Sequence, residues 1–365
     1  MSDTQGAAST SQGNSQYLRK IGLIVYAPAK TTTRSVGVGE ATSSATSTQN
    51  TADNGLDLSA LHIKFHVEGM SFDRPKTAII RVYNLKDDTQ NKIKKEFQAV
   101  TLQAGYENGA YGIIFTGTIK RIKTGRESAV DTFLEIQAAD GDIAFNFAFV
   151  NKTIAAGSSQ QQKAQVVADS MTATGAITSS DLTALQATGG VIPAARGNVM
   201  FGIGVAQLND VASTTNTSWF IENGVLKFVS NTGYLSGQAV VLNSQTGMVG
   251  IPEATNEGIE VAALLNPNIK IGTRVQINNA AINQANGNAQ AGNNAVNATQ
   301  INSYFGYPGY TDISYIANVS NDGFYRVLVV SHSGDSRGNE WYTKMTCLAL
   351  DASAAPGSSV LAYGG

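Results

Sequence analysis

Apolar and polar residues alternate along much of this chain with the period of two that a half-buried β-strand imposes. Leu61, Ile63, Phe65 and Val67 fall on one face, and His62, Lys64, His66 and Glu68 on the other. The same reading, with short apolar runs, predicts strands from Leu18 to Tyr26, Ala78 to Leu85, Val100 to Tyr106, Ala239 to Leu242, Gly258 to Leu264, Arg274 to Ile277 and Ile313 to Val319. Glu107-Asn108-Gly109 marks a turn after the third of these. A short helix is expected from Asp87 to Phe97, with Ile93 and Phe97 inward.

Two stretches repeat one β pattern. The first runs from Phe115 to Ile122, through a polar turn, then from Thr132 to Asp140. The second runs from Gly323 to Val330, through a polar turn, then from Trp341 to Asp351. Each reads as strand, charged turn, strand, closing Asp. A doubled β module suits a scaffold that presents similar surfaces more than once, and not a single deep catalytic pocket.

Between the copies the pattern changes. Ser158 and Ser159 can cap a helix running to Thr174, with Val166, Val167 and Met171 on one side and Gly175 as its stop. A second helix is predicted from Val199 to Ser213, using Phe201, Val205, Leu208 and Val211. Trp219 to Phe228 reads as a hairpin, because Asn223 and Gly224 both tolerate positive φ. The expected organisation is therefore mainly β with an α+β insert. Residues 17–150 form a first β-barrel domain, 151–237 the α+β middle domain and 238–351 a second β-barrel domain. The segments 1–16, 30–54, 278–302 and 352–365 are small and polar, and are expected to be a flexible arm, two mobile insertions and a C-terminal tail.

Composition narrows the function classes. Hydrophobic residues make up 42% of the 365, but charged residues only 14%, well under the roughly 25% of an average soluble protein. A polar, weakly charged surface is common in chains that live inside a larger assembly. The net charge is −2. The densest cationic run, Lys92, Lys94 and Lys95, is offset by Asp87, Asp88 and Glu96, so the clustered cations of a nucleic-acid binder are missing. The single cysteine, Cys347, allows neither an intramolecular disulfide nor a thiolate cluster. The first residues lack a charged segment followed by an apolar one, and no apolar run approaches the roughly 20 residues that span a bilayer. The expectation is a protein made in a cytoplasm, without membrane insertion.

No catalytic, cofactor-binding or metal-binding residue is assigned. His62 and His66 have the spacing that chelates zinc from a helix, but on a strand four residues span about 13 Å, too far for one ion. Gly334-Asp335-Ser336 resembles a protease nucleophile segment, with His332 near it, yet it falls in the turn of the second repeat and Arg337 follows it. Gly202-Ile203-Gly204 lacks a third glycine and a preceding strand. Asp140 with Asp142, and Asp87 with Asp88, sit where turns and helix starts favour Asp. Trp219 and Trp341 lie among aliphatic residues, as packing residues do.

Three stretches resemble one family. They are Ile80-Arg81-Val82-Tyr83-Asn84-Leu85 with Phe97 through Tyr106 and Ile114 through Ile119; Asp131 through Asp142 with Asn146-Phe147-Ala148; and Gln245 through Pro252 with Leu264-Leu265-Asn266-Pro267 and Ile271-Gly272. Together they are similar to the baseplate hub proteins of contractile-tailed bacteriophages. The resemblance implies a structural virion protein and not an enzyme: a homotrimer with two tail-tube-like β-barrels per subunit. Three subunits with two barrels each make a ring of six. Such a symmetry adaptor joins the sixfold tail tube to the threefold central spike and to other baseplate proteins, and DNA passes its channel without specific binding. It needs no cofactor, and its place is the tail baseplate of a virion assembled in the host bacterial cytoplasm. The alternatives are a tail-associated cell-wall hydrolase, a carbohydrate-binding adhesin, and the hub of a related contractile injection system.

Overall fold

The computed structural model describes residues 18–27, 55–70, 74–188, 190, 192–255, 258–278, 282 and 323–349. The first part of the chain forms β1 (Arg19–Tyr26), β2 (Leu56–Asp57), β3 (Ile63–Met70), β4 (Thr77–Tyr83), α1 (Asp87–Glu96), β5 (Ala99–Tyr106), β6 (Tyr111–Arg126) and β7 (Thr132–Ala139). The middle forms α2 (Asp142–Phe147), β8 (Phe149–Ile154), α3 (Gln160–Ala173), β9 (Ser179–Asp181), α4 (Thr183–Ala187), β10 (Asn198–Ile203), α5 (Gly204–Thr215), β11 (Thr217–Glu222) and β12 (Val225–Ser230). The last part forms β13 (Val240–Leu242), β14 (Met248–Thr255), β15 (Gly258–Leu264), β16 (Arg274–Ile277), β17 (Phe324–Asp335) and β18 (Trp341–Ala349).

One thirteen-stranded sheet joins the first and last parts in the order β14-β15-β18-β17-β3-β4-β7-β6-β5-β1-β2, with β16 on β17 and β13 on β16. Among the described residues the pairings run as an open path from β14 to β2. Within that path one unit occurs twice. The strands β3, β4, β5, β6 and β7 lie in the spatial order β3-β4-β7-β6-β5; β14, β15, β16, β17 and β18 lie in the order β14-β15-β18-β17-β16. Both units therefore share connectivity as well as order.

The two halves also share an irregularity. The register of β6 against β7 shifts between Ile119 and Arg121, and that of β17 against β18 between Val327 and Val329. Aligned on these bulges, Ala138 matches Cys347 and Ile136 matches Met345. The pairings then carry Ala78 onto Ile259 and Val67 onto Ala254. β-bulges are positioned features that bend a strand, so a bulge at matched places marks the two as copies of one structural pattern. The same alignment sets Asp140 against Ala349. The closing Asp of the second pattern, Asp351, lies outside the described residues.

Three apolar cores follow. The first lies under β1 and β3 to β7, with Ile63, Phe65, Ile80, Leu102, Phe115 and Leu134 buried. The second, in the middle part, gathers Val167 and Met171 of α3, Leu208 and Val211 of α5, and Trp219 and Phe228. The third gathers Ile259, Val275, Tyr325, Val327 and Cys347. Each such large side chain contributes about 1.5–3 kcal/mol on burial. In the first helix Ile93 and Phe97 are buried as the pattern predicts.

Local signals account for the middle part. Ser159 caps α3 in a capping box with Gln162, and Gly175 follows the helix with φ +74°. Asn223 and Gly224 both take positive φ in the turn between β11 and β12. The helix predicted from Val199 is shorter than expected. Asn198–Ile203 is instead strand β10, paired antiparallel with β8. Gly202 with φ +129° breaks any helix there, and Phe201 is exposed, so α5 begins only at Gly204. The second correction concerns the last hairpin. Its first strand runs on through Ser331–Ser333 to Asp335, so Gly334 and Asp335 end β17 and are not the turn itself. The expected strand from Ile313 to Val319, the arm at 1–16, the insertion at 30–54, all of 278–302 but Asn278 and Ile282, and the tail at 352–365 lie outside the described residues.

Candidate functional site

The most unusual chemistry is buried where the three parts of the chain meet. Lys76 precedes β4, and its Nζ donates to Glu222 Oε1 at 2.7 Å, with both side chains all but inaccessible. Asp140 follows β7 and is 1% exposed. Its Oδ1 accepts from the backbone N–H of Gly224 at 2.9 Å, while Oδ2 and Glu222 Oε2 have no protein partner. Burial, then the nearby Glu222, raises the Asp140 carboxyl to about 7, against the pull of Lys76. On the other side His332 is fully buried, with Nδ1 2.9 Å from Thr343 Oγ1. Burial, then Lys76 and Lys270, lowers its imidazole to about 3. Burial also lowers Lys270. The first β unit thus supplies Lys76 and Asp140, the middle part Glu222, and the second unit Lys270 and His332. A second buried cation, Arg326 of β17, donates from Nη1 to the carbonyls of Ser230 (2.7 Å) and Gly233 (3.3 Å), tying β17 to the end of β12. Its burial lowers the guanidinium to about 10.

Lys76, Asp140, Glu222 and His332 are closed from solvent, while Lys270 is half-buried. The cluster acts as a junction that fixes how the middle part sits on the doubled sheet. The sequence hints resolve differently. Ser336 Oγ accepts from the backbone N–H of Ile63, Asp335 accepts from the N–H groups of Arg337 and Gly338, and His62 Nε2 lies 2.7 Å from Asp335 Oδ1. Ser336, Asp335 and His332 therefore hold separate structural partners. His62 stacks on Tyr83, with ring centroids 4.4 Å apart, and His66 is exposed on β3. No group of three potential metal ligands occurs among the described residues. Trp219 donates to Asn209 Oδ1 at 2.7 Å, and Trp341 packs edge-on against Phe65; both are buried. Cys347 is buried and its thiol is pushed up. Asp142 begins α2 and accepts from Lys120 Nζ at 2.5 Å.

Two surfaces stand out by their composition. The face of the sheet opposite the cores carries Lys64, Arg81, Lys123 and Lys344 among Glu68, Glu135, Glu253 and Glu260. In the first unit these charges are knitted together: Arg81 Nε donates to Glu135 at 2.8 Å, and Lys123 lies 3.6 Å from the same carboxylate. The middle part presents an apolar ribbon in which Phe149, Val199, Phe201 and Ile203 are each more than half exposed. Phe149 and Phe201 meet edge-on at 5.1 Å. A contiguous exposed apolar patch marks an interaction surface. Among the described residues no helix is long and apolar enough to cross a membrane.

Solved structures of similar fold include phage tail proteins and a component of the type VI secretion system of E. coli. A tail protein from Neisseria meningitidis MC58 superposes with a TM-score of 0.50 at 9% identity, over 91% of this chain and 96% of that one. The 43 kDa tail protein of prophage MuSo2 from Shewanella oneidensis gives 0.49 at 8% identity, over 84% and 97%. At such identities the likeness speaks for the fold alone. No curated protein matches this chain significantly in sequence. The family described as "Baseplate hub gp41" matches residues 45–289, more than half of the chain. That span covers the first β unit, the whole middle part and the opening strands of the second unit, so the chain belongs to the baseplate hub gp41 family and is a structural component of the phage tail baseplate.

Proposed function

We propose that three copies of this chain form a hub ring of six similar β units that joins the sixfold tail tube to the threefold spike. The observation that carries this reading is the five-stranded unit that occurs twice with one connectivity. A closed ring needs the same patch geometry at every contact. A chain holding two equivalent units supplies that geometry at six positions from three subunits. On this reading residues 17–150 and 238–351 are the ring-forming domains and residues 151–237 lie outside the ring, and the apolar ribbon of β8 and β10, which begins at the boundary with Phe149, faces other baseplate proteins.

The mixed charges of the outer sheet face support a channel that passes DNA without holding it. Cations there are interleaved with carboxylates, so the face lacks the uniform positive charge that retains phosphates. The chain then works as a scaffold and not as an enzyme, in a virion assembled in the host bacterial cytoplasm. The test is the native mass of the purified chain. A mass near three times 38.2 kDa, independent of salt, is the expected result. A chain that stays monomeric at high concentration and in the presence of tube and spike proteins would overturn the proposal.

A further inference from the structure

Inside the chain, the two units are joined by one specific pairing. The C-terminal half of β17 runs antiparallel to β3, with Ser331 opposite Glu68, His332 opposite Val67 and Ser333 opposite His66. The fourth strand of the second unit therefore takes the first strand of the first unit as its neighbour. Among the described residues the matching half of β6 has no such neighbour. Beyond Ile119 it pairs only with β7 among the described residues. The first strand of the second unit, β14, is likewise paired only with β15 among them. Among the described residues these two edges thus have no neighbouring strand, and they are the same two kinds of edge that are married within the chain.

Burial mirrors this difference. Val330 and His332 of β17 are at most 1% exposed. Their counterparts on β6 are Ile122, which is only partly covered, and Thr124, which is exposed. Charge adds a second, independent sign. The free half of β6 carries Lys120, Arg121, Lys123 and Arg126 and no carboxylate. On the other edge Glu253 of β14 stands directly opposite Glu260 of β15. Like charges so placed repel, and among the described residues neither has an ion-pair partner.

We infer that the free half of β6 pairs antiparallel with β14 of a neighbouring copy of this chain, repeating the β17–β3 junction between subunits. This rests on the hub reading above and deepens it to a register. Carrying the β17–β3 pairing across the two aligned units sets Lys123 opposite Thr255 of the partner subunit, Thr124 opposite Ala254 of the partner subunit, and Gly125 opposite Glu253 of the partner subunit. Lys123 then lies diagonal to Glu253 of the partner subunit on the same face, within reach of a long side chain. Pro252 lies in the irregular stretch of β14, where a strand tolerates proline, and it bounds the pairing on that side. The contact is heterologous: every copy offers one β6 edge and one β14 edge. With threefold closure, three internal and three intersubunit junctions alternate around the ring. Neither of these two edges is then left to seed open-ended pairing.

The test uses the full chain with paired cysteines. Lys123→Cys with Thr255→Cys, and Thr124→Cys with Ala254→Cys, each put two thiols directly opposite across the proposed junction, on opposite faces of the sheet. Lys123→Cys with Ala254→Cys puts them on different faces and is the control. Cys347 is buried and does not compete. After mild oxidation both in-register pairs are expected to give a covalent ladder that stops at the trimer, with about tenfold more cross-linked product than the control, since a disulfide needs Cα atoms within about 7 Å. A chain with trimeric mass whose in-register pairs cross-link no better than the control would overturn the pairing and leave the hub reading standing. A monomer with no cross-link would overturn both. A ladder running past three chains would overturn the closed ring.

Discussion

Replacing Lys76 with methionine will destabilise the fold by about 3–5 kcal/mol, the usual cost of removing one partner from a buried ion pair. The reason lies in what remains. Glu222 would keep its buried position, with Oε2 already lacking a protein partner, and Asp140 beside it would lose the cation that offsets its charge. The damage should be reduced in Lys76→Met with Glu222→Gln, because the second change removes the orphaned charge; such coupled residues are not additive. Urea unfolding of the wild type, both single variants and the double variant measures this. Costs of Lys76→Met below about 1 kcal/mol, the size expected of an exposed pair, would mean that Lys76 and Glu222 are not closed off from solvent.

The second large effect concerns pH, and it is visible only when two opposing groups are separated. His332 has its folded value lowered to about 3 from 6.5. Its contribution is present above the unfolded value and is lost as pH falls from 6.5 towards 3. Asp140 has its folded value raised to about 7 from 3.8. Its contribution is present at low pH and is lost as pH rises from 3.8 through 7. Between pH 7 and 4 each term amounts to about 3 kcal/mol, with opposite signs, so they nearly cancel in the wild type. Measured as differences from wild type, Asp140→Asn should lose stability over that fall in pH and His332→Leu should gain it. Thermal or urea unfolding across this range checks the signs. Variant profiles that run parallel to the wild type would contradict the buried placement of both groups.

The sequence carried the local structure well where one physical signal dominated. Strict alternation located β3, the Asn223-Gly224 turn located the β11–β12 hairpin, and Ser159 with Gly175 bracketed α3. It failed where two signals conflicted. Phe201, Val205 and Leu208 have helical spacing, yet Gly202 interrupts it and Phe201 belongs to an exposed strand. Strand β14 carries no alternation to read, because Gly250 and Pro252 fall in its irregular stretch. The repeat was legible in its hairpins, but only strand pairing extends it to five strands and shifts its register, so that Asp140 falls on Ala349. The buried junction left no mark in the sequence. Lys76 and Glu222 are 146 residues apart, and Asp140 and Gly224 are 84 apart. In the sequence Lys76 follows an ordinary Arg-Pro pair and Asp140 looks like a turn residue, so nothing short of the fold brings them together.

The central claim is that one polypeptide carries two equivalent ring positions. Electron cryomicroscopy of the purified assembly, reconstructed without imposed symmetry, tests it most directly. Three chains arranged around an axis, whose six five-stranded units superpose on one another by rotations of about 60°, is the predicted result. A ring of six chains, or one in which the two units of a chain occupy unrelated positions, would contradict the account.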